Sequence, residues 1–102
     1  MKVYNKLVRD RIPDIMTKNG KGAHFSVLND EDYLRELDKK LTEETAEYQE
    51  SKELEELADI LEVLEAICTA RGHSVQELHA LREKKRAERG GFEKRLFLEY
   101  KE

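Results

Sequence analysis

Residues 54–68 constrain the fold most, because apolar side chains line two sides of the helix that their spacing predicts. One face consists of Leu54, Leu57, Ala58, Leu61, Leu64 and Cys68. Ile60, Val63 and Ile67 lie on the far side. A helix that is apolar on two sides belongs in the interior of a helical protein. We therefore expect other helices, and a second copy of the chain, to cover this segment.

Helix-ending signals divide the chain into four helices. Proline suits the first turn of a helix, glycine its end, and Ser-x-x-Glu is a capping box. The predicted helices are 13–18, ending at Asn19-Gly20; 30–49, capped by Asn29 or Asp30; 51–71, capped by Ser51; and a fourth that opens with the Ser74–Glu77 box and ends at Gly90-Gly91.

Two short segments alternate between apolar and polar residues, which is typical of strands. These are residues 23–28 and 93–99, and they could pair with each other. We therefore predict an all-α, four-helix-bundle-like fold with a small two-stranded β element. Because 102 residues support one modest core, residues 1–102 are interpreted as a single domain.

Charge and apolar patterning exclude several classes of protein. The formal net charge of −4 argues against a general nucleic-acid binder. No apolar run approaches the ~20 residues of a membrane span, and the N-terminus lacks the apolar core of a signal peptide. The single cysteine, Cys68, cannot form an internal disulfide. We expect a cytoplasmic protein with neither a membrane nor a nucleic-acid partner.

Four acids stand in two pairs at a spacing of three residues, Glu44 with Glu47 and Glu56 with Asp59. Acids at this spacing point to the same side of a helix. Glu44 falls within the apolar stripe of its helix, and the second pair falls beside an apolar face. A buried carboxylate must be neutralised, paired or bound to metal. Carboxylate oxygens favour Mg²⁺, with Mn²⁺ as the alternative ion.

The competing interpretation is a salt-bridged helical bundle in which these acids pair with lysine and arginine. No regular basic partner appears beside them, because the basic residues cluster at 6–11 and 82–89. Metal-binding carboxylates combined with such cations suit a polyphosphate ligand, since Mg²⁺ bridges phosphate oxygens while lysine and arginine bind the others.

Several motifs resemble those of the MazG-like all-α NTP pyrophosphatase superfamily. The acidic motifs are Glu43-Glu44-Thr-Ala-Glu47 and Glu56-Leu-Ala-Asp59. The flanking motifs, which resemble a compact phosphoribosyl-ATP pyrophosphohydrolase-like subgroup, are Tyr4-Asn-Lys-Leu-Val-Arg-Asp-Arg-Ile-Pro13 and Lys84-Lys85…Arg89-Gly-Gly-Phe92. The resemblance covers nearly the whole chain. One departure is the tight connection, since only eight residues separate Glu47 from Glu56.

The resemblance implies Mg²⁺-dependent cleavage of a nucleoside triphosphate between the α and β phosphates, in the service of nucleotide-pool house-cleaning. It also implies a homodimer or tetramer. The implied metal ligands are Glu44, Glu47, Glu56 and Asp59, with Glu43 orienting or deprotonating the attacking water. The expected phosphate contacts are Lys85, Arg89, Lys6 and Arg9.

Two alternatives stay open at this point. The first is a phosphoribosyl-ATP pyrophosphohydrolase of histidine biosynthesis, which performs the same chemistry on a different base and ribose. The second is a non-catalytic helical module that binds a nucleotide or a protein and uses its acids structurally. Saturable Mg²⁺ binding separates the second alternative from both enzymes.

Overall fold

The computed structural model describes all 102 residues and contains four α-helices and no strand. The helices are α1 (Ile12–Lys18), α2 (Asp30–Ser51), α3 (Leu54–Ala70) and α4 (Val75–Arg89). The all-α prediction is therefore confirmed. None of the helices combines the length and the apolar character needed to cross a lipid bilayer.

A sharp turn joins α2 to α3 and makes them a helical hairpin. Lys52 ends α2 in the left-handed conformation, with a φ of 61°, and its N–H donates to the carbonyl of Tyr48 at 2.8 Å. Glu53, which has extended backbone, precedes the first residue of α3. Ser51, predicted to cap α3, is instead the last residue of α2, and its Oγ accepts from the Glu53 N–H at 3.3 Å.

Little of the chain is buried. Leu37 of α2 and Val63 of α3, with exposed fractions of 3% and 8%, form the buried apolar core. The Ser74–Glu77 capping box opens α4 as predicted. Helix α4 then contacts α3 only, and α1 stays more than 8 Å in Cα distance from every other helix. The helices therefore form a hairpin with two outlying helices, and the predicted bundle is not closed within one chain.

The predicted β element is wrong. Residues 23–28 and 93–99 carry no strand, and every residue in both ranges is exposed. A turn at the start of the second range breaks its extension: Arg95 has a φ of 58° and its N–H donates to the carbonyl of Phe92 at 3.0 Å. A two-stranded ribbon is marginal without a surface to pack on, and here neither segment has one.

The small core makes stability sensitive to Leu37. Substitution Leu37→Ala is expected to lower the free energy of unfolding by about 2–4 kcal/mol, because it removes a buried side chain and leaves a cavity. Urea unfolding followed by circular dichroism measures the change. The fully exposed Val27 provides the control, since Val27→Ala is expected to stay within about 0.5 kcal/mol of wild type. Equal effects of the two substitutions would contradict this account of the core.

Candidate metal centre

Three carboxylates converge where the hairpin closes. Glu44 comes from α2, and Glu56 and Asp59 come from the first turns of α3. One oxygen from each residue lies within 4.8 Å of the other two. The short turn after Ser51 brings the end of α2 against the start of α3, so that residues twelve and fifteen positions apart in sequence meet. The tight connection therefore assembles the acids instead of separating them.

Glu44 is the unusual member of this cluster. It is only 7% exposed, and its Oε2 has no hydrogen-bond partner. Its Oε1 lies 3.5 Å from Nζ of Lys40. Burial raises the pKa of the Glu44 carboxyl above 4.5, and the neighbouring carboxyls of Glu47 and Asp59 raise it further, while Lys40 partly opposes them. Buried polar atoms are normally bonded, and this carboxylate oxygen is one that a cation held by the acidic cluster could satisfy.

Glu47 and Glu43 lie beside the cluster. Glu47 is exposed, and its carboxyl raises the pKa of the Glu44 carboxyl, but it lies outside the group of three. Glu43 is half-buried, and its two oxygens lie 3.3 Å from Lys6 and 3.7 Å from Lys40. The proposed role of Glu43 in activating water stays a prediction.

The N-terminal segment brings two predicted phosphate contacts to the acids. Nη2 of Arg9 donates to Oδ1 of Asp59 at 2.7 Å, across fifty positions of sequence. Nζ of Lys6 donates to Glu43 at 3.3 Å. Both basic side chains remain about half exposed, at 58% for Arg9 and 45% for Lys6. They are therefore cations at the edge of the cluster that stay accessible to a ligand.

Lys85 and Arg89 lie elsewhere in the chain. Their helix, α4, makes no contact with α2, and both residues are exposed. They line a separate open cavity of about 530 Å³, which we call the basic groove. Its lining consists of Arg82, Lys85, Arg86, Arg89, Gly90, Gly91 and Phe92. Within one chain the structure thus joins the acids to Lys6 and Arg9, and not to the basic end of α4.

Sequence reasoning missed Lys40. Its Nζ lies 3.7 Å from Glu43 and 3.5 Å from Glu44, so it is the nearest cation to the buried carboxylate. The signal was present, because a lysine three and four residues before two glutamates lies on their side of a helix. Glu44 therefore does have a basic partner at helical spacing, Lys40, although this lysine leaves Oε2 without a hydrogen bond.

Comparison with known proteins leaves the family open. No family model matches the chain. No solved structure matches it. A curated protein of Mycolicibacterium smegmatis, described as "Uncharacterized protein", is 45% identical over 42 residues. The match spans 41% of this chain and 43% of that protein, so the chain covers less than half of its relative.

Proposed function

We propose that this chain is a Mg²⁺-dependent nucleoside triphosphate pyrophosphohydrolase that releases a nucleoside monophosphate and pyrophosphate. The observation that supports a metal centre is the buried, unpartnered Oε2 of Glu44 in a cluster with Glu56 and Asp59. An all-carboxylate donor set fits a hard divalent cation. The motifs that resemble MazG-like pyrophosphatases support the choice of reaction.

The proposed roles follow from position. Glu44, Glu56 and Asp59 would hold the ion, with Glu47 beside Glu44 as the proposed fourth ligand. A bound Mg²⁺ supplies charge stabilisation to the phosphate oxygens and acidifies a water molecule. Glu43, beside the cluster, accepts the proton of the attacking water. The oxygen of that water forms the new P–O bond. The P–O bond to the oxygen that bridges the α and β phosphates breaks, and the bridging oxygen leaves with the other product.

Lys6 and Arg9 supply the positive charge that a triphosphate requires. Their partners in the structure are Glu43 and Asp59. With Asp59 holding a metal, the guanidinium of Arg9 would be free to bind phosphate oxygens at the same edge of the cluster. Charge-assisted bonds of this kind are roughly twice as strong as neutral ones. The triphosphate would then lie between the N-terminal segment and the acidic ends of α2 and α3.

A nucleotide panel with Mg²⁺ tests the proposal. Pyrophosphate and a monophosphate are expected from at least one canonical or modified nucleoside triphosphate, with no release in excess EDTA. Activity on phosphoribosyl-ATP alone would replace house-cleaning with the biosynthetic alternative. Orthophosphate as the product would contradict cleavage between the α and β phosphates.

Mg²⁺ titration calorimetry tests the metal centre without turnover. Saturable binding is expected for the wild type and for Glu55→Gln, which removes an exposed acid of α3 outside the cluster. If wild-type protein shows no saturable binding, the acids are structural and the chain is a non-catalytic module.

A further inference from the structure

The single chain leaves an apolar seam on α3 uncovered. The seam consists of Leu54, Leu57, Leu61 and Leu64, which are between 40% and 80% exposed. Their alternating spacing of three and four residues is that of a helix-packing stripe. The opposite side of α3, with the buried Val63, already packs on α2. A continuous row of exposed leucines on a structured helix indicates a binding surface.

The last residues of the chain form a second uncovered surface. Every residue of 79–102 is exposed, and we call this segment the C-terminal arm. It contains six large apolar side chains that are between 54% and 97% exposed: Leu81, Phe92, Leu96, Phe97, Leu98 and Tyr100. Gly90, with a φ of 82°, joins the helical part of the arm to its non-helical end. Nothing in the same chain covers these side chains.

The chain exposes more surface, and is more extended, than a compact monomer of its mass. Its accessible surface is 9656 Å². A compact monomer of 12.0 kDa exposes about 6,000 Å². Its radius of gyration is 18.0 Å, whereas a compact chain of this length has about 13 Å. The excess surface is larger than a standard protein–protein interface requires from each partner.

The net charges of α3 and of the C-terminal arm indicate which segment of another chain fits the seam. Helix α3 carries five acids and no lysine or arginine, a net charge of −5. Packing two α3 seams together would bring the negative charges of the two helices close together, and these would repel each other. The arm carries eight lysine or arginine residues and five acids, a net charge of +3. The arm therefore matches α3 in both apolar surface and charge, and complementary charge favours this pairing over the symmetric one.

We propose that a second copy of this chain covers the α3 seam with its C-terminal arm, and that the exchange is reciprocal. Each chain has one seam and one arm, so a two-fold dimer satisfies both surfaces. The arm includes the basic groove, and α3 carries Glu56 and Asp59. The exchange therefore sets the basic arm of one copy against the acidic α3 of the other, whereas Glu56 and Asp59 lie on the side of α3 that faces α2. The proposal itself does not depend on the proposed enzymatic activity.

Single-cysteine cross-linking between differently tagged full-length chains tests the exchange. Both chains carry Cys68→Ser; one adds Leu61→Cys in the seam and the other adds Leu98→Cys in the arm. A short bis-maleimide is expected to give the mixed dimer as the main product. Three outcomes would overturn the proposal: cross-linking only between two Leu61→Cys chains, closure within one chain that carries both substitutions at high dilution, or a wild-type chain that sediments as a monomer at every concentration.

A charged seam provides an independent measurement. Leu61→Asp is expected to raise the dimer dissociation constant at least ~100-fold in sedimentation equilibrium, because it buries an unpaired charge in the contact. Val27→Asp, an equally drastic change at an exposed site outside both surfaces, should leave the constant unchanged. Higher ionic strength should weaken the wild-type dimer, since it screens opposite charges. A dimer strengthened by salt, or indifferent to Leu61→Asp, would refute arm exchange.

Discussion

Replacing Glu44 with glutamine is expected to abolish Mg²⁺-dependent pyrophosphate release, with a fall in kcat/KM of at least ~100-fold. The amide keeps the shape of the side chain but loses the negative charge that holds the ion. Saturable Mg²⁺ binding should be lost in calorimetry as well. The two measurements are needed together, because a defect in catalysis alone would leave Mg²⁺ binding intact.

The same substitution should stabilise the metal-free protein. The pKa of the Glu44 carboxyl is raised in the folded chain. At any pH above the pKa of this carboxyl in the unfolded chain, its negative charge therefore destabilises the fold. Glutamine removes that charge, and its amide can donate to the carboxylates of Glu47 or Asp59. We expect the free energy of unfolding without metal to rise, by less than removal of the charge alone would give because the pair with Lys40 is also lost, and denaturant titration in EDTA measures the change.

Glu55→Gln is the matched control for Glu44→Gln. It makes the same chemical change at an exposed position of α3 outside the cluster. Its activity should equal that of wild type, and its stability should change by less than about 0.5 kcal/mol. Asp59→Asn should lose activity as Glu44→Gln does. Full activity in both Glu44→Gln and Asp59→Asn would remove the acidic cluster from the reaction.

Local signals predicted the helices well. The Ser74–Glu77 capping box and the proline at the start of α1 act over one turn, and both appear where the sequence placed them. Asn29 caps α2 because its side chain accepts from the N–H of Asp32, three residues on. Such bonds depend on neighbours in sequence and are therefore visible without the fold.

Long-range contacts were predicted less well. The apolar stripe around Glu44 identified it as buried, yet no pattern showed that Arg9 reaches Asp59 from fifty residues away. The predicted β element was wrong for the same reason. Alternation in residues 93–99 indicates an apolar surface, but it does not show which segment packs on that surface. Lys85 and Arg89 likewise bear the right charge on a helix that α2 does not touch.

Substituting Arg9 with glutamine is expected to change metal and nucleotide binding in opposite directions. The Arg9 guanidinium donates to Asp59 at 2.7 Å, so Mg²⁺ bound at that carboxylate would compete with it. The pair is exposed and worth at most about 1 kcal/mol, which predicts up to about fivefold tighter Mg²⁺ binding without nucleotide. Loss of the bond to phosphate should raise KM for the triphosphate by about 10-fold or more.

Arg11 supplies the control for charge alone. It lies two residues away, is exposed, and has no ion pair or side-chain hydrogen bond. Arg11→Gln removes the same charge, so a general electrostatic effect would change both variants equally. If Arg9→Gln weakens Mg²⁺ and nucleotide together, Arg9 only anchors the N-terminal segment. Tighter Mg²⁺ binding with a raised KM is the combination that requires one guanidinium to exchange Asp59 for phosphate.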